Sequence, residues 1–375
     1  MNTPKKKQYW VGFDLGGTKM MAVVFDSDLQ EVARKKRKTR TKSGEKVGLD
    51  RIEETLHSAL AEASVNLSDV AGIGIGIPGP LNPVNGIVLE ATNLGWKNLP
   101  LRKQLQEKFG RPVEICNDVD AGVFGEYLRG AGTGCRSLLG MFPGTGIGGG
   151  FVYEGRIFHG TRATCMEVGY LQMATEGSAA GVGPVGTLEG LASRLAIAAE
   201  AAKAVFRGQA PNLQAIAGTD ISKIRSSALR KSIAEGDKSI EKIVRRSAEQ
   251  VGRGIGSLIN ILAPDRVILG GGLVEAMPEL YIDSVKKGLR RNVLPALVDY
   301  AEIVVSRLGD LAAAVGAAGL VRQSVTSVSP QESSLSQQPA ISPHTALALQ
   351  PPTPADEAEP TAEQVVSPDS EDDQS

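Results

Sequence analysis

A glycine-rich stretch at residues 142–152 constrains the fold of this chain more than any other part of its sequence. Within it, Gly144-Thr145-Gly146-Ile147-Gly148-Gly149-Gly150 places five glycines in seven positions between two apolar runs. Each glycine costs about 0.5–1 kcal/mol of backbone entropy relative to alanine, so this density indicates that side chains are excluded. A tight turn between two strands would exclude them, and so would a ligand close to the backbone. Backbone amides in such turns bind anions, so phosphate is the expected ligand.

A second glycine turn of the same kind lies near the N-terminus. The apolar residues 9–13 lead into Asp14-Leu15-Gly16-Gly17-Thr18-Lys19, and residues 20–25 resume an apolar run. This pattern predicts a strand, a glycine turn and a second strand. Two such hairpins in one chain predict a duplicated plan, in which two lobes hold a phosphate chain between them.

Two other glycine patterns match the dinucleotide-binding fingerprint by their letters alone. The fingerprint must open a helix, but Gly74-Ile75-Gly76-Ile77-Pro78-Gly79 runs into Pro80 and Pro83, which exclude a helix there. The match at Gly144, Gly146 and Gly149 is followed by another apolar strand at residues 151–153. The sequence contains no Gly-x-x-x-x-Gly-Lys-Ser/Thr motif. A Rossmann domain and a P-loop protein are therefore both excluded.

Charge and length exclude several classes of protein. The 375 residues suffice for two lobes. Lys and Arg total 41 against 42 Asp and Glu, and the excess of basic charge before residue 322 is too dispersed to indicate nucleic-acid binding. The basic run at residues 34–38 lies in a predicted edge strand, residues 31–40, where charges prevent edge-to-edge aggregation.

Cysteine usage and hydropathy indicate the compartment. Cys116, Cys135 and Cys165 are too widely spaced for a disulfide framework or a metal cluster, which favours the reducing cytoplasm. The apolar run after the lysines at residues 5–7 is broken at Asp14, so it is too short for a secretory signal. No run of about 18 apolar residues occurs, so no membrane association is expected.

Periodicity and composition divide the rest of the chain into elements. Helices are predicted at residues 45–65, 99–109, 121–129, 188–204, 240–262 and 311–320. Further strands are predicted at residues 70–77, 112–116, 156–159, 266–269 and 303–305. Residues 165–170 and 177–186 are predicted to be loops. Residues 1–8 are predicted to be flexible, and residues 323–375, which are rich in Ser, Pro and acidic side chains, to be disordered.

Asp118 is the carboxylate that the pattern of elements singles out. It follows the buried strand at residues 112–116 and precedes a helix. Open α/β sheets place their ligands at the carboxyl ends of their strands, so a functional role is one interpretation. The alternative is that Asp118 caps the helix, a position that Asp fills well.

Taken together, these motifs resemble the ROK family of sugar kinases and repressors, in the actin-like ATPase superfamily. The two glycine turns match its phosphate motifs. Asn93-Leu94-Gly95-Trp96, Asn117-Asp118, Glu167-Val168-Gly169 and Leu269-Gly270-Gly271-Gly272 follow in the family's order. The resemblance covers about residues 9–322. It implies a two-lobed α/β fold of the actin-like ATPase (ribonuclease H-like) type with a cleft between the lobes. Residues 9–117 and a C-terminal helix at about 309–322 would form one lobe, and residues 118–308 the other.

The resemblance also implies a role for each motif. Asp118 would be the general base that takes the proton from the attacking sugar hydroxyl, since phosphoryl transfer needs a carboxylate there. Asp14 would hold Mg²⁺ through water. Contacts to sugar hydroxyls are implied for Asn93, Asn117, Asp118, Glu167, Tyr170 and Glu189. Contacts to ATP are implied for Asp14, Gly16, Gly17, Thr18, Lys19, Gly144, Thr145, Gly146, Gly270 and Gly271.

The sequence departs from the family pattern at the position of its zinc site. Many members have a His directly after the Glu-x-Gly motif and three cysteines downstream, whereas this chain has Tyr170 and no cysteine in residues 175–186. No zinc site is therefore expected. Glu189, in Gly186-Thr187-Leu188-Glu189, still matches the family's glutamate after the cysteine cluster. Tyr170 would give the sugar a hydrogen bond of different reach, which leaves the choice of sugar open.

These observations predict an ATP- and Mg²⁺-dependent sugar kinase, with glucose as the leading substrate and a homodimer as the expected assembly. Fructose, mannose or an N-acetylated amino sugar as acceptor, and polyphosphate as donor, remain alternatives. A different class is a ROK regulator that binds sugar without phosphorylating it. A repressor needs a DNA-binding domain before the first glycine turn, where only thirteen residues precede Asp14.

Overall fold

The computed structural model describes residues 8–39, 44–174 and 185–327, which contain thirteen strands and eleven α-helices. The strands are Tyr9–Leu15 (β1), Lys19–Phe25 (β2), Glu31–Lys38 (β3), Val70–Ile77 (β4), Leu81–Asn82 (β5), Ile87–Ala91 (β6), Trp96–Leu99 (β7), Val113–Asn117 (β8), Ser137–Pro143 (β9), Ile147–Tyr153 (β10), Arg156–Ile157 (β11), Arg266–Leu269 (β12) and Glu302–Val305 (β13). The helices are Gly44–Ala63 (α1), Leu101–Phe109 (α2), Asp118–Arg129 (α3), Leu188–Ala192 (α4), Arg194–Phe206 (α5), Pro211–Ala217 (α6), Ser226–Ala234 (α7), Lys238–Leu262 (α8), Gly272–Ala276 (α9), Pro278–Leu289 (α10) and Ala312–Ser327 (α11).

Two five-stranded sheets have the same strand plan. The first sheet has the order β3-β2-β1-β4-β8, and the second has the order β11-β10-β9-β12-β13. In each sheet three strands pair antiparallel in the order given, and two further strands then pair parallel to the third. The duplicated plan predicted from the two glycine hairpins is therefore confirmed. Each glycine turn joins the first two strands of its sheet, so the turns occupy equivalent places.

Each sheet has its own apolar core. In the first sheet, Phe13 and Ile75 pack with Ile52 and Leu56 of α1, and all four side chains are fully buried. In the second sheet, Leu269 packs with the apolar face of α8 and with α10. The apolar spacing that predicted these two long helices marks the faces that cover the sheets.

Helix α11 returns the end of the described chain to the first sheet. A Cβ atom on Gly12 of β1 would lie 1.9 Å from the carbonyl oxygen of Ala314, and one on Gly74 of β4 would lie 1.8 Å from that of Ala317. Only glycine allows the helix backbone to approach the strands this closely. The helix runs to Ser327, so the prediction of disorder from residue 323 is wrong for residues 323–327, which continue the helix.

Helix α3 contacts elements of both sheets. Its residue Glu126 is fully buried, and the carboxylate accepts hydrogen bonds of 2.7 Å from the backbone N–H groups of Ala131, Arg307 and Leu308. On the other side, Val123 packs with the buried residues Leu138 and Val152 of the second sheet. The helix that begins at Asp118 is thus fixed to the turn that precedes α11.

The basic run lies in strand β3, at the edge of the first sheet. Its side chains form ion pairs within the chain: Arg34 with Glu31, Lys35 with Glu62, Lys36 with Asp310 and Arg37 with Glu54. The edge-strand prediction is confirmed, and these cations already have carboxylate partners.

The structure corrects several predicted boundaries. The helix predicted at residues 188–204 breaks at Ser193, which adopts an extended conformation and accepts a hydrogen bond from Ala196 N–H at 3.2 Å. The helix predicted from residue 99 begins at Leu101, because a residue that precedes proline avoids the helical conformation. The strand predicted at residues 156–159 is limited to β11.

Some secondary-structure elements were not predicted, and some predicted segments lie outside the described residues. Strands β5, β6 and β7 form a separate three-stranded sheet, and helices α6, α7, α9 and α10 were also not predicted. The loop predicted at residues 177–186 and the predicted tail lie largely outside the described residues, as does most of the predicted flexible N-terminus. Among the helices in the described ranges, none combines the length and apolar character that crossing a bilayer requires.

Candidate functional site

The junction of β8 and α3 places Asp118 at the centre of the site. Asn117 is the residue that caps α3, because its Oδ1 accepts hydrogen bonds from the N–H groups of Val119 at 2.8 Å and Asp120 at 3.2 Å. The alternative that Asp118 is the cap is therefore wrong. Asp118 is the first helical residue, and its Oδ1 accepts one bond from Val119 N–H at 3.0 Å.

The larger of two cavities beside Asp118 has a volume of about 830 Å³. Its walls bring together five predicted sugar contacts that are far apart in the sequence. These are Asn117, Asp118, Glu167, Tyr170 and Glu189. The second glycine turn, Gly144 to Gly146, lines the same cavity. Carboxylates and amides around one space can hydrogen-bond several hydroxyl groups at once, as a polyol requires.

The smaller cavity has a volume of about 240 Å³ and is also lined by Asp118. It is lined by Asp14, Gly271, Ser306 and Asp310, among others. Gly271 has a φ of +84°, and a Cβ there would lie 2.8 Å from the carbonyl oxygen of Pro143. Both features require glycine at this position. Asp118, Val119 and Phe142 line both cavities, so the two spaces share this part of their walls.

The carboxylates of the site have perturbed pKa values. Burial raises the pKa of Asp118 to about 6, as does the charge of Glu167, while the hydrogen bond from Val119 N–H opposes the rise. Burial raises the pKa of Asp14 to about 7, and the charges of Asp118 and Asp310 add to this. Asp118 is therefore largely ionised at neutral pH and can accept a proton.

Asp120 is a second buried carboxyl group beside Asp118. Its side chain is 3% exposed, and its Oδ1 has no hydrogen-bond partner in the described part of the chain. Burial raises its pKa well above the usual range, and the charges of Asp118 and Glu167 raise it further. Burial and the two neighbouring charges therefore both favour the protonated form of Asp120.

The residues around the smaller cavity suit a magnesium ion that is shared with a phosphate chain. Asp14, Asp118 and Asp310 supply oxygen atoms, and a cation would offset the repulsion that the charges of Asp118 and Asp310 exert on Asp14. In residues 8–39, 44–174 and 185–327, no group of three or more His, Cys, Asp or Glu side chains could hold a metal alone. A magnesium ion bound here would need water and phosphate oxygens as further ligands, as Mg²⁺ commonly has.

Glu189 connects the larger cavity to the second glycine turn. Its Oε2 accepts a hydrogen bond of 2.7 Å from the backbone N–H of Ile147, the residue that follows the turn. The same oxygen would lie 2.3 Å from a Cβ on Gly146. Burial and the charge of Glu189 together raise the pKa of Glu167 on the opposite wall.

Some predicted site residues lie outside the two cavities. The first glycine turn, from Gly16 to Lys19, and Asn93 are not among the residues that line them. Asn93 lies against this turn, with its Cβ 3.0 Å from the position of a Cβ on Gly17. Gly270 faces the ring of Phe142. The roles of these residues in sugar and nucleotide binding stay predictions.

Sequence reasoning missed several residues of the site, and four of them have side chains that bear on its chemistry. Phe142, Ser306 and Asp310 line the smaller cavity, and Arg194 contacts the second glycine turn. Phe142 lies in the apolar run before the glycines, and this position in the sequence is typical of a core residue. Asp310 follows Gly309 at the start of the predicted C-terminal helix, where an acidic residue is expected in any case.

Comparison with known proteins identifies the family. The family model described as "ROK family" matches residues 10–324. The chain belongs to the ROK family. It is 30% identical over 325 residues to the glucokinase of Halalkalibacterium halodurans, covering 86% of this chain and 97% of that protein. It is 29% identical to the xylose repressor of Caldicellulosiruptor bescii, covering 72% of this chain and 66% of the repressor.

A solved ROK structure shares the architecture. The ROK family glucokinase from Streptomyces griseus, in complex with glucose and AMPPNP, superposes with a TM-score of 0.73 at 28% identity, covering 84% of this chain and 99% of that one. The chain therefore has the two-lobed actin-like ATPase fold of ROK glucokinases, with a cleft between the lobes.

Proposed function

We propose that this ROK protein is a hexokinase, specifically a glucokinase, that transfers the γ-phosphoryl group of ATP to the 6-hydroxyl of glucose. One observation carries the proposal: Asp118 lines both cavities, with hydroxyl-binding side chains on one side and the acidic, glycine-bordered space on the other. A base that joins an acceptor site to a donor site is what phosphoryl transfer needs. The similarity to glucokinases supports the choice of reaction.

In the proposed reaction, the sugar occupies the larger cavity and its 6-hydroxyl faces Asp118. The hydroxyl oxygen attacks the γ-phosphorus while its proton passes to the Asp118 carboxylate. The bond from the γ-phosphorus to the bridging oxygen breaks, and ADP leaves with the electron pair. Asn117, Glu167, Tyr170 and Glu189 would orient the sugar. Such positioning, together with a base that typically adds about 10²–10⁴-fold, accounts for most catalysis of this type.

The donor would lie across the two glycine turns. Backbone N–H groups at Gly16 to Lys19 and at Gly144 to Gly146 would bind its phosphates, and Gly270 and Gly271 would border the adenosine. Asp14 would hold Mg²⁺ through water, and the ion supplies charge neutralisation at the phosphate oxygens when it is bound. Closure of the lobes over the sugar would exclude water from the transferred phosphoryl group.

Replacing the base tests the proposal. In Asp118→Asn the carboxylate is lost while the shape of the side chain is kept, so ADP release with glucose and ATP should fall at least about 10²-fold while glucose binding persists. Asp299→Asn, at an exposed aspartate far along the chain, is the matched control and should keep full activity. Retained turnover in Asp118→Asn would falsify the assignment of the base.

A screen of sugars and phosphoryl donors identifies the acceptor and the donor of the reaction. Wild-type protein is tested with glucose, fructose, mannose and N-acetylglucosamine, using ATP or inorganic polyphosphate, and sugar phosphate is measured directly. We expect glucose with ATP to give the highest kcat/KM. A higher value for another pair would replace glucose or ATP while leaving the role of Asp118 intact.

A sugar-binding regulator without catalysis is the second candidate. The similarity to a xylose repressor and the presence of Tyr170 at the sugar-cavity wall both favour it. A regulator of this kind would bind a sugar and form no sugar phosphate with any donor in the screen. Turnover at a rate that depends on Asp118 would exclude this candidate.

A further inference from the structure

Arg194 is a cation at the second glycine turn that the proposed reaction does not yet use. It is the first residue of α5, placed there by the break at Ser193. Its backbone N–H donates to the carbonyl oxygen of Gly144 at 2.9 Å, and its Nη2 donates to Oγ1 of Thr145 at 3.1 Å. Both contacts are to the turn that lines the larger cavity.

In the part of the chain that the structure describes, Arg194 forms no ion pair with a carboxylate. Its contacts within the described residues are to a carbonyl and a hydroxyl group, and neither carries a negative charge. The guanidinium has five N–H donors, so most of them remain available. Burial lowers the pKa of Arg194, and a nearby positive charge, that of Arg225, lowers it further. A partly desolvated arginine beside a second arginine is costly unless an anion is bound.

Arg225 extends this positive region toward the other glycine loop. It directly precedes α7, and the Oγ of the next residue, Ser226, lies 3.5 Å from the position of a Cβ on Gly272. Gly272 begins α9 immediately after Gly270 and Gly271. Arg194 therefore contacts the second glycine turn, and Arg225 directly precedes a helix whose first residue approaches the loop assigned to adenosine.

We propose that Arg194 and Arg225 bind the phosphate chain of the donor, with Arg194 acting at the Thr145 turn. This inference rests on the proposed function, because it takes the turn to be part of the donor site. Arginine suits the role, since its planar guanidinium can donate two parallel hydrogen bonds to phosphate oxygens. A nucleoside triphosphate and an inorganic polyphosphate share this chemistry.

Binding measurements on the full chain test the inference without requiring turnover. Arg194→Gln removes the charge but keeps an N–H donor for Thr145, whereas Arg194→Lys keeps the charge without the planar group. The dissociation constants of AMPPNP and of inorganic polyphosphate are measured by calorimetry at two salt concentrations. Arg225→Gln is measured in the same way. Arg207→Gln, at an exposed arginine at the other end of α5, is the matched control.

We expect Arg194→Gln to raise the dissociation constant of the donor at least about tenfold, because a hydrogen bond to a charged group is lost. Arg225→Gln should weaken binding less, and both variants should reduce the salt dependence. If Arg194→Gln binds AMPPNP more weakly than the wild type does, the phosphate chain bound at this site belongs to a nucleotide. If only the binding of polyphosphate is weaker in this variant, the bound chain is polyphosphate. In turnover, the donor KM should rise while the glucose KM stays within about twofold, a split expected when only donor binding is lost.

The outcomes separate this inference from the proposed function. Unchanged dissociation constants for both donors in Arg194→Gln would overturn the inference, even if the protein phosphorylates glucose. Equal weakening in Arg207→Gln would also overturn it, because the effect would then be a general loss of positive charge. A wild-type protein that phosphorylates no sugar, yet binds AMPPNP through Arg194, would refute the kinase and uphold the phosphate site.

Discussion

Glu189 Oε2 accepts a hydrogen bond of 2.7 Å from the backbone N–H of Ile147. The two residues are 42 positions apart, one on the wall of the larger cavity and the other directly after the second glycine turn. A single carboxylate therefore has one oxygen fixed to the proposed donor turn and the other available to the proposed acceptor. Through this bond, the position of the sugar side chains and that of the phosphate turn depend on each other.

Substitutions at Glu189 should separate these two effects. Glu189→Ala leaves the N–H of Ile147 without its acceptor, which costs about 1–3 kcal/mol, so the KM values for both glucose and ATP should rise. Glu189→Gln keeps an acceptor oxygen, so the KM for ATP should stay nearer to that of the wild type while the KM for glucose rises. Steady-state kinetics with each substrate varied measures both values. Equal effects of the two variants on the KM for ATP would contradict this account, and Glu200→Ala, at an exposed ion pair, is the control.

The activity should fall on the acid side as Asp118 becomes protonated. Its pKa of about 6 means that kcat/KM should decline about tenfold per pH unit below that value. Glu167→Gln removes a negative charge that raises the pKa of Asp118, so the acid limb should move to lower pH. The measurement is a pH–rate profile of both proteins at saturating donor. An acid limb that does not move would show that the charge of Glu167 does not act on the base.

Asp120 should make the stability of the protein depend on pH. Its pKa is raised in the folded state, so the folded state binds its proton more tightly than the unfolded state does. The corresponding stabilisation is fully present below the unfolded-state pKa, near 3.8, and is lost as pH rises. Asp120→Asn has no carboxyl group to ionise. The difference between its Tm and that of the wild type should therefore shift in favour of the variant as pH increases from about 4 to 8. A constant difference in Tm over this range would exclude a raised pKa.

Glycine at position 74 should be essential for the packing of α11. A methyl group there would lie 1.8 Å from the carbonyl oxygen of Ala317, so Gly74→Ala must displace the helix backbone and should cost at least about 1–3 kcal/mol. Gly122→Ala in α3 is the matched control, since a Cβ at that position meets no atom within 4 Å. It should be neutral or stabilise by up to about 1 kcal/mol. Chemical denaturation measures both changes, and an equal effect of the two would refute the packing argument.

The sequence predicts those parts of the fold that depend on neighbouring residues. Both glycine turns, the flanking strands and the long helix α8 follow from local patterns of glycine and apolar residues. The ordered motifs then led to the family, which the comparison confirms. The grouping of Glu167, Tyr170 and Glu189 with Asp118 was predicted only through that resemblance, because no local pattern fixes the distance between them.

What the sequence did not predict depends on contacts between distant segments. The break at Ser193 has no local signal, since alanine and leucine continue the helical pattern on both sides. The extended conformation of Ser193 places Arg194 against Thr145, 49 residues earlier in the chain. Likewise, the cap of α3 could have been Asn117 or Asp118 by residue type, and only the geometry assigns it to Asn117.

Because α11 packs on the first sheet, a ribosome must synthesise a long segment between strand β4 and the helix that covers it. Ile77 ends β4 and Ala312 begins α11, so 235 residues separate the strand from the helix that covers it. At about 5–20 residues per second, the ribosome needs roughly 10–50 s to make that segment. During this interval the face around Gly12 and Gly74 has no covering helix, and the first sheet can complete its packing only when nearly all of the described chain has emerged.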